Sequence, residues 1–362
     1  MSRFERGLSL CLRSLLVLAF LAGCSQDDGT REKTALQRLV RPMMGTLVEV
    51  LWQPEGRPDD VSEARAAMDR MADLASRMNA RDADSEVSRI VDAAGTAPAQ
   101  VSGEVLEVIE KALEISRITG GAFDVTVGAL EAVWGNIQWE GGGRLPAPEE
   151  IQDALSRVGY RFVRTNRERK TVYLEQKGVR LDLGGIAKGY IVDQGIRCLK
   201  EAGIRHALIH AGGDLRTLGD RQGSPWRIGL QDPGDPQRLL GVFRVKDAAV
   251  VTSGNYERYF ESPKGRFGHI LDPHAGRPVE GLLSVSVVAE DAAYADALAT
   301  AFMVKGKEGT LALVSGLPSV QIVLIEVGGA IWVSRGLEKV LEWGGLPAGY
   351  TVEFLPGPPS SS

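Results

Sequence analysis

The chain has 362 residues, 44% of them hydrophobic and 25% charged, which suits one large or two ordinary globular domains and excludes a disordered chain or a polytopic membrane protein. A formal net charge of −5 argues against nucleic acid as a partner. The start departs from the average: Arg3, Arg6 and Arg13 stand before or within an apolar run that ends Leu21-Ala22-Gly23-Cys24. That run is too short for a comfortable membrane span and has the basic-then-apolar form of a secretory signal. Its ending resembles a bacterial lipobox, so residues 1–23 read as a lipoprotein signal peptide, cleaved before a lipidated Cys24 that would carry palmitate. Such lipid chains tether a protein to a membrane surface without spanning it. Of three cysteines, only Cys198 then remains in the mature body, which leaves no intrachain disulfide possible there.

Residues 24–38 are polar and charged and read as the tether, with ordered structure from about Leu39. Alternation over 41–51 predicts a strand entered through a Gly45-Thr46 turn, and Ala64, Ala67, Met68, Met71, Leu74 and Met78 recur at helical spacing over 62–78. Asp84-Ser85 offers a cap for a short helix. An amphipathic helix over 101–118 is stopped by Gly120-Gly121, which deliver Phe123 and Asp124 on a turn. Residues 134–148 form a Gly- and Pro-rich loop. A short helix over 148–158 and strands at 162–163, 172–175 and 179–183 follow.

The strand expected at 179–183 runs into Gly184-Gly185 and then a helix over 189–202. Two glycines let backbone N–H groups approach a ligand closely, and a helix N-terminus adds partial positive charge, so this is a place to hold phosphate. Asp182 precedes the turn and Lys188 follows it by about one helical turn. The stretch is neither a Walker sequence nor Gly-x-Gly-x-x-Gly, and an ordinary strand-to-helix turn with a surface lysine is the plain alternative. After an apolar strand over 206–210, Gly212-Gly213-Asp214 reads as a second strand exit of the same kind, pointing to a cleft lined for phosphate or a nucleotide.

Further on, strands are expected at 225–233, over 241–251 and at 283–289. His269 and His274 share one loop, and His269 with Asp272 makes only a sparse metal pair. A helix over 291–303, dense in small residues, places Asp296 and Thr300 four apart on one face. An aspartate buried in so apolar a helix needs a cation or hydrogen bonds to compensate it. Oxygen ligands suit magnesium, and a carbonyl from the Gly-Gly turn would complete a sparse set; a capped aspartate with Thr300 bonded back to its own helix is the alternative. Residues 320–325 and 330–333 read as a closing hairpin, and 356–362 as a polar tail.

Eight segments in order, from Met43-Met44-Gly45-Thr46 through 82–88, 121–124, 182–189, 212–214, 252–254 and 269–273 to 296–300, resemble the ApbE family of periplasmic flavin transferases. The resemblance covers nearly all of 41–340. It implies one α/β unit over 39–355 with mixed α+β sheets and a small insert lobe, binding FAD in its cleft. Members transfer FMN from FAD to a protein threonine or serine through a phosphoester and release AMP, with Mg2+ bound. Residue by residue, it implies FAD contacts from Met44, Arg81, Ala122, Phe123, Asp124, Asp182, Lys188, Ile270 and Leu271. Magnesium would be held by Gly185, Asp296 and Thr300, and His269 would be the base. Arg81 stands where relatives often carry a flavin-facing aromatic, and His210 where Asn is common. Acceptors in the family are subunits of membrane redox complexes carrying an Asp-x-x-[Ser/Thr]-Gly-Ala-[Ser/Thr] segment, which suits a periplasmic enzyme anchored through Cys24, here expected at the inner membrane. Two rivals share the same residues: a magnesium-dependent FAD pyrophosphatase giving FMN and AMP, and a non-catalytic FAD-binding lipoprotein.

Overall fold

The computed structural model describes residues 35–54, 59–135, 145–255, 259–262 and 265–355. The expected signal peptide, Cys24, most of the tether and the tail lie outside the described residues.

Nine strands form one sheet: β1 (Gln37–Met43), β2 (Thr46–Trp52), β3 (Ala207–Ala211), β4 (Asp214–Leu218), β5 (Ala249–Gly254), β6 (Leu282–Ala289), β7 (Gln321–Glu326), β8 (Ala330–Val333) and β9 (Thr351–Phe354). Their order across the sheet is their order along the chain. Every neighbouring pair is antiparallel except β8 and β9, which run parallel. Antiparallel neighbours need no crossover helix. The helices are therefore excursions that leave the sheet and return to it, free to carry functional groups at their ends.

The strand sequences explain why both faces of the sheet are covered. In β7, four consecutive residues from Ile322 to Ile325 are fully buried. Ile322 and Leu324 join one core, while Val323 and Ile325 join another. A strand turns alternate side chains to opposite faces, so an unbroken apolar run requires two packed layers.

The first layer is helical: α1 (Asp60–Met78), α2 (Glu86–Asp92), α3 (Gly103–Ile118), α4 (Gly128–Trp134), α5 (Pro148–Leu155), α6 (Ala187–Glu201) and α7 (Ala292–Val314). Of these, α1, α6 and α7 pack on the sheet and on one another. Alanines 292, 293, 295, 297, 299 and 301 are all buried and let α7 sit close to its neighbours. The second layer is a three-stranded sheet of Trp226–Asp232, Asp235–Val245 and Leu341–Trp343, whose Trp226, Ile228, Leu230 and Phe243 pack against the other face. A further small sheet, Ala99–Gln100 with Thr171–Leu174 and Val163–Asn166, lies beside α2. Leu130, Ala154 and Leu271 form a small core of their own between α4, α5 and the loop that follows His269.

Most expected elements are present within two or three residues, and Ser85 and Ser102 accept N–H groups at the starts of α2 and α3 as capping residues. Three expectations are corrected. Residues 179–183 are not a sheet strand: apart from one bridge between Val127 and Arg180 they join no ladder, and Val179, Leu181 and Leu183 are buried in the main core while Arg180 is exposed. Gly212-Gly213 is not a strand exit toward a helix but the two-residue turn of the β3–β4 hairpin, with Ala211 opposite Asp214. The hairpin of β7 and β8 does not close the sheet, because β9 adds beyond it. In addition, β1 begins at Gln37, inside the expected tether.

Candidate active site

Two helix N-termini meet at the candidate site. The start of α6 has no capping side chain of its own, since its N-cap is Ile186. Asp296, on the second turn of α7, supplies the missing acceptor: its Oδ2 takes the Gly189 N–H at 3.2 Å. Gly189 is needed there for closeness, because a Cβ would lie 2.2 Å from the Ala292 carbonyl oxygen. The other oxygen of Asp296 faces Lys188 Nζ at 3.5 Å, and the same ammonium donates to Asp214 Oδ2 at 2.7 Å.

Asp214 and Asp296 are almost completely buried, at 1% and 2% exposure, and between them stands one lysine. Among the described residues, two buried carboxylates with one cation leave a negative charge to be balanced, by a proton or by a metal ion. Burial, reinforced by Asp296 and opposed by Lys188, pushes the Asp214 carboxyl well above the usual aspartate range.

Gly185 and Thr300 close one side of this cluster. A Cβ on Gly185 would stand 3.1 Å from Thr300 Oγ1 and 3.2 Å from Phe123 Cε2, so the glycine, the hydroxyl and the aromatic ring are in one place. Oxygen from Asp296 and Thr300, with backbone oxygen available at Gly185, is a hard, sparse donor set of the kind magnesium accepts when phosphate or water completes its shell. Among the described residues no three His, Cys, Asp or Glu side chains gather as metal ligands, so an all-side-chain cage is not what this cluster offers. The uncompensated charge and the oxygen donors together fit a divalent cation.

Two hairpin turns end at the same edge. Met44-Gly45 joins β1 to β2 with φ of 54° and 70°, and Gly212-Gly213 joins β3 to β4 with φ of 58° and 97°; both have the left-handed geometry of tight antiparallel hairpins. The turns touch, since a Cβ on Gly212 would lie 2.7 Å from Thr46 Oγ1. A methionine in this conformation costs about 1–2 kcal/mol, strain that a glycine would avoid.

Asp124, expected to meet FAD, accepts three hydrogen bonds from the protein. Its Oδ1 accepts the Thr126 N–H at 2.8 Å and the Thr126 hydroxyl at 2.6 Å, and its Oδ2 accepts the Tyr160 N–H at 2.7 Å. Burial raises its pKa, and these bonds oppose the rise. Asp124 thus holds the Phe123 turn in shape, while Ala122 and Phe123 are buried in the main core. Asp182 is bound locally: its N–H donates to the Val125 carbonyl at 2.9 Å, and its Oδ1 accepts from Gly184 N.

The loop from His269 to Pro278 is pinned over the Phe123 turn. His274 Nε2 lies 3.2 Å from the Gly120 carbonyl oxygen, and Trp134 Nε1 donates to the Gly276 carbonyl at 2.9 Å. His274 is therefore a strut. His269 is half-buried where the loop begins, ahead of the buried Ile270 and Leu271. Ile270 belongs to the main core with Ala122 and Phe123, whereas Leu271 packs with Leu130 and Ala154.

Two further acids had no site role assigned from the sequence. Asp214 is the second carboxylate on Lys188, and the Gly-Gly-Asp motif was its signal. Glu131, on α4, lies against Asp182; burial and that neighbouring carboxylate push it well above the glutamate range, against the pull of Arg81. Arg81 itself is exposed. Nothing in the spacing of Glu131 and Asp182, half a hundred residues apart, announces that pair. His210, by contrast, has its pKa lowered by burial and accepts the Gly213 N–H at 3.3 Å within its own hairpin.

Comparison with known proteins places this arrangement. The ApbE family model matches residues 44–324. A FAD:protein FMN transferase of Vibrio cholerae is 32% identical over 91% of this chain and 98% of its own length, and one of Treponema pallidum is 32% identical over 89% and 92%. Among solved structures, the ApbE protein of Thermotoga maritima superposes with a TM-score of 0.77 at 34% identity, covering 84% of this chain and 99% of that one. The flavin transferase ApbE of Vibrio cholerae gives 0.75 at 29% identity, covering 84% and 100%. With more than half of its length matched by the family model, and the fold shared with solved members, the chain belongs to the ApbE family.

Proposed function

We propose that this protein transfers the FMN part of FAD to a threonine or serine hydroxyl of an acceptor protein and releases AMP, in a magnesium-dependent reaction. The observation that carries the reading is the meeting of Gly185, Lys188, Asp214, Asp296 and Thr300 where the N-termini of α6 and α7 adjoin, in a chain of the ApbE family.

The substrate is an anhydride of two phosphates, and this cluster suits it. Helix N-termini favour anions, and Lys188 adds a full charge within the same few ångströms. Asp296, Thr300 and Gly185 would hold the cation; bound there, Mg2+ supplies neutralisation of the phosphate oxygens. The acceptor oxygen attacks the FMN phosphorus, the bond from that phosphorus to the bridging oxygen breaks, and AMP leaves with the electron pair. His269 takes the hydroxyl proton as the new phosphoester forms. The turn built on Phe123 and braced by Asp124, with Met44, Ile270 and Leu271, offers apolar surface for the flavin nucleotide. Asp182, with Glu131 and Arg81 near it, offers polar atoms for the rest of it.

Cys24 and the lipobox before it support a location on the periplasmic face of a bacterial membrane, the inner one being the expected site. There the acceptor would be a subunit of a membrane redox complex.

The test is AMP release from FAD measured with and without an acceptor domain carrying the Asp-x-x-[Ser/Thr]-Gly-Ala-[Ser/Thr] segment. Acceptor-dependent release, lost with chelator and reduced about 10²- to 10⁴-fold in His269→Ala, supports the transferase. Release of AMP and FMN that ignores the acceptor would make the protein a pyrophosphatase, and unchanged FAD would make it a binding protein.

A further inference from the structure

Asp193 lies one turn beyond Gly189 on α6, so the two share the face that meets α7. Its carboxylate spans the first turn of α7: Oδ1 accepts the Ala292 N–H at 3.0 Å and Oδ2 the Ala293 N–H at 2.9 Å. Arg216, from β4, pairs with Oδ1 from the other side. The contact is reciprocal. Asp193 of α6 satisfies donors at the start of α7, and Asp296 of α7 satisfies a donor at the start of α6. The side chain of Asp291, the N-cap of α7, takes the Tyr294 N–H at 2.9 Å, and its second oxygen pairs with Lys111 of α3 at 3.1 Å. Without Asp193, two orphan donors at the start of α7 lose their partner.

We propose that Asp193 is a positioning residue for the transfer reaction: by fixing the first turn of α7 against α6, it sets Asp296 and Thr300, one and two turns further along α7, in the geometry that binds the cation. The inference rests on the reading of Asp296 and Thr300 as cation ligands. The ridge of contact is rigid, because Gly189 leaves no room between α6 and the Ala292 carbonyl, so a shift of the first turn carries through to the ligands. Outer groups that orient ligands commonly matter to metal affinity by about 10- to 100-fold.

The charge of Asp193 also changes in the neutral range. The groups that face it are Arg216 from β4, Asp291 at the start of α7 and, through Asp291, Lys111 of α3. Burial and Asp291 push its pKa up to about 7, against Arg216 and the two N–H groups. The ionised form is the better acceptor for a helix N-terminus. Cation affinity in the wild type therefore gains a component as pH rises through that value.

Magnesium binding to the full-length protein, measured by calorimetry without FAD at about pH 6 and about pH 8, on either side of the Asp193 transition, tests this. Asp193→Ala is expected to weaken binding about 10- to 100-fold at the higher pH. Asp193→Asn, which keeps one acceptor oxygen but cannot ionise, is expected to match the wild type at the lower pH and fall behind it at the higher one. Should Asp193→Ala not fold, Asp193→Asn carries the test. Wild-type affinity in both variants at both pH values would overturn the inference. Asp296→Asn separates the two ideas. Loss of magnesium binding in that variant, with the Asp193 variants unaffected, defeats the positioning role alone. Unchanged binding in Asp296→Asn would defeat the cation site and the positioning role together.

Discussion

Two Gly-Gly pairs feed the same cluster, and they are glycine for different reasons. Gly184 and Gly185 have ordinary backbone angles and are needed because other atoms stand too close for a side chain, Asp182 Oδ1 beside the first and Thr300 with Phe123 beside the second. Gly212 and Gly213 have φ of 58° and 97° and are needed because the hairpin demands that conformation, with Thr46 crowding Gly212 in addition, so that Gly213 is the pure case of torsion. The first pair leads into the helix that carries Lys188, and the second leads directly to Asp214. The 2.7 Å bond between those two side chains joins the turns into one site. A dipeptide motif therefore says where the backbone is unusual but not whether space or torsion is the cause.

The contrast predicts opposite mutational signatures. Gly185→Ala presses on Thr300 and Phe123 from 3.1 and 3.2 Å, so these must yield by tenths of an ångström. A misplacement of about 1 Å can cost about 10²-fold in rate, so for this smaller shift the transfer rate is expected to fall about tenfold while the thermal midpoint barely moves. Gly213→Ala should do the reverse: about 1–2 kcal/mol of stability lost in denaturant unfolding, with the rate per folded molecule kept within severalfold. Equal losses of rate at equal stability in the two variants would break the comparison.

The titration of Asp193 sharpens it in a second way. Its folded pKa, about 7, lies above the ordinary aspartate value of 3.8. Its contribution to stability is therefore complete below about pH 4 and is lost as pH rises to about 7, on the order of a few kcal/mol. Unfolding free energies measured across that window should fall with rising pH in the wild type and fall less in Asp193→Asn. The smallest effect expected is that of Gly184→Ala, whose Cβ would stand 2.8 Å from Asp182 Oδ1. Loss of one hydrogen bond's worth of order, about 1 kcal/mol, should raise the KM for FAD about fivefold and leave kcat alone.

Much of this was legible in the chain. The helix at 60–78 announced itself through apolar spacing, Ser85 through capping chemistry, and Asp296 through the cost of burying an acid among alanines. What failed did so for physical reasons. Residues 179–183 are as apolar as a strand, but the partner of Asp182 N is the Val125 carbonyl in a turn, so burial came without a sheet ladder. β9 pairs parallel to β8 across a long connection, and sequence gives no register for such a pairing. The contacts Lys188–Asp214 and Glu131–Asp182 are long-range, and no periodicity encodes them. Asp124, expected from the family resemblance to contact FAD, also braces its own turn through three hydrogen bonds, a role that its spacing does not encode.

The measurement that most directly tests the central claim is the intact mass of an acceptor domain bearing the Asp-x-x-[Ser/Thr]-Gly-Ala-[Ser/Thr] segment, after incubation with this protein, FAD and magnesium. The account predicts a mass gain of one FMN phosphoester, absent with chelator and with Asp296→Asn. An acceptor that stays unmodified while FAD is consumed, or one modified equally well by Asp296→Asn, would contradict it.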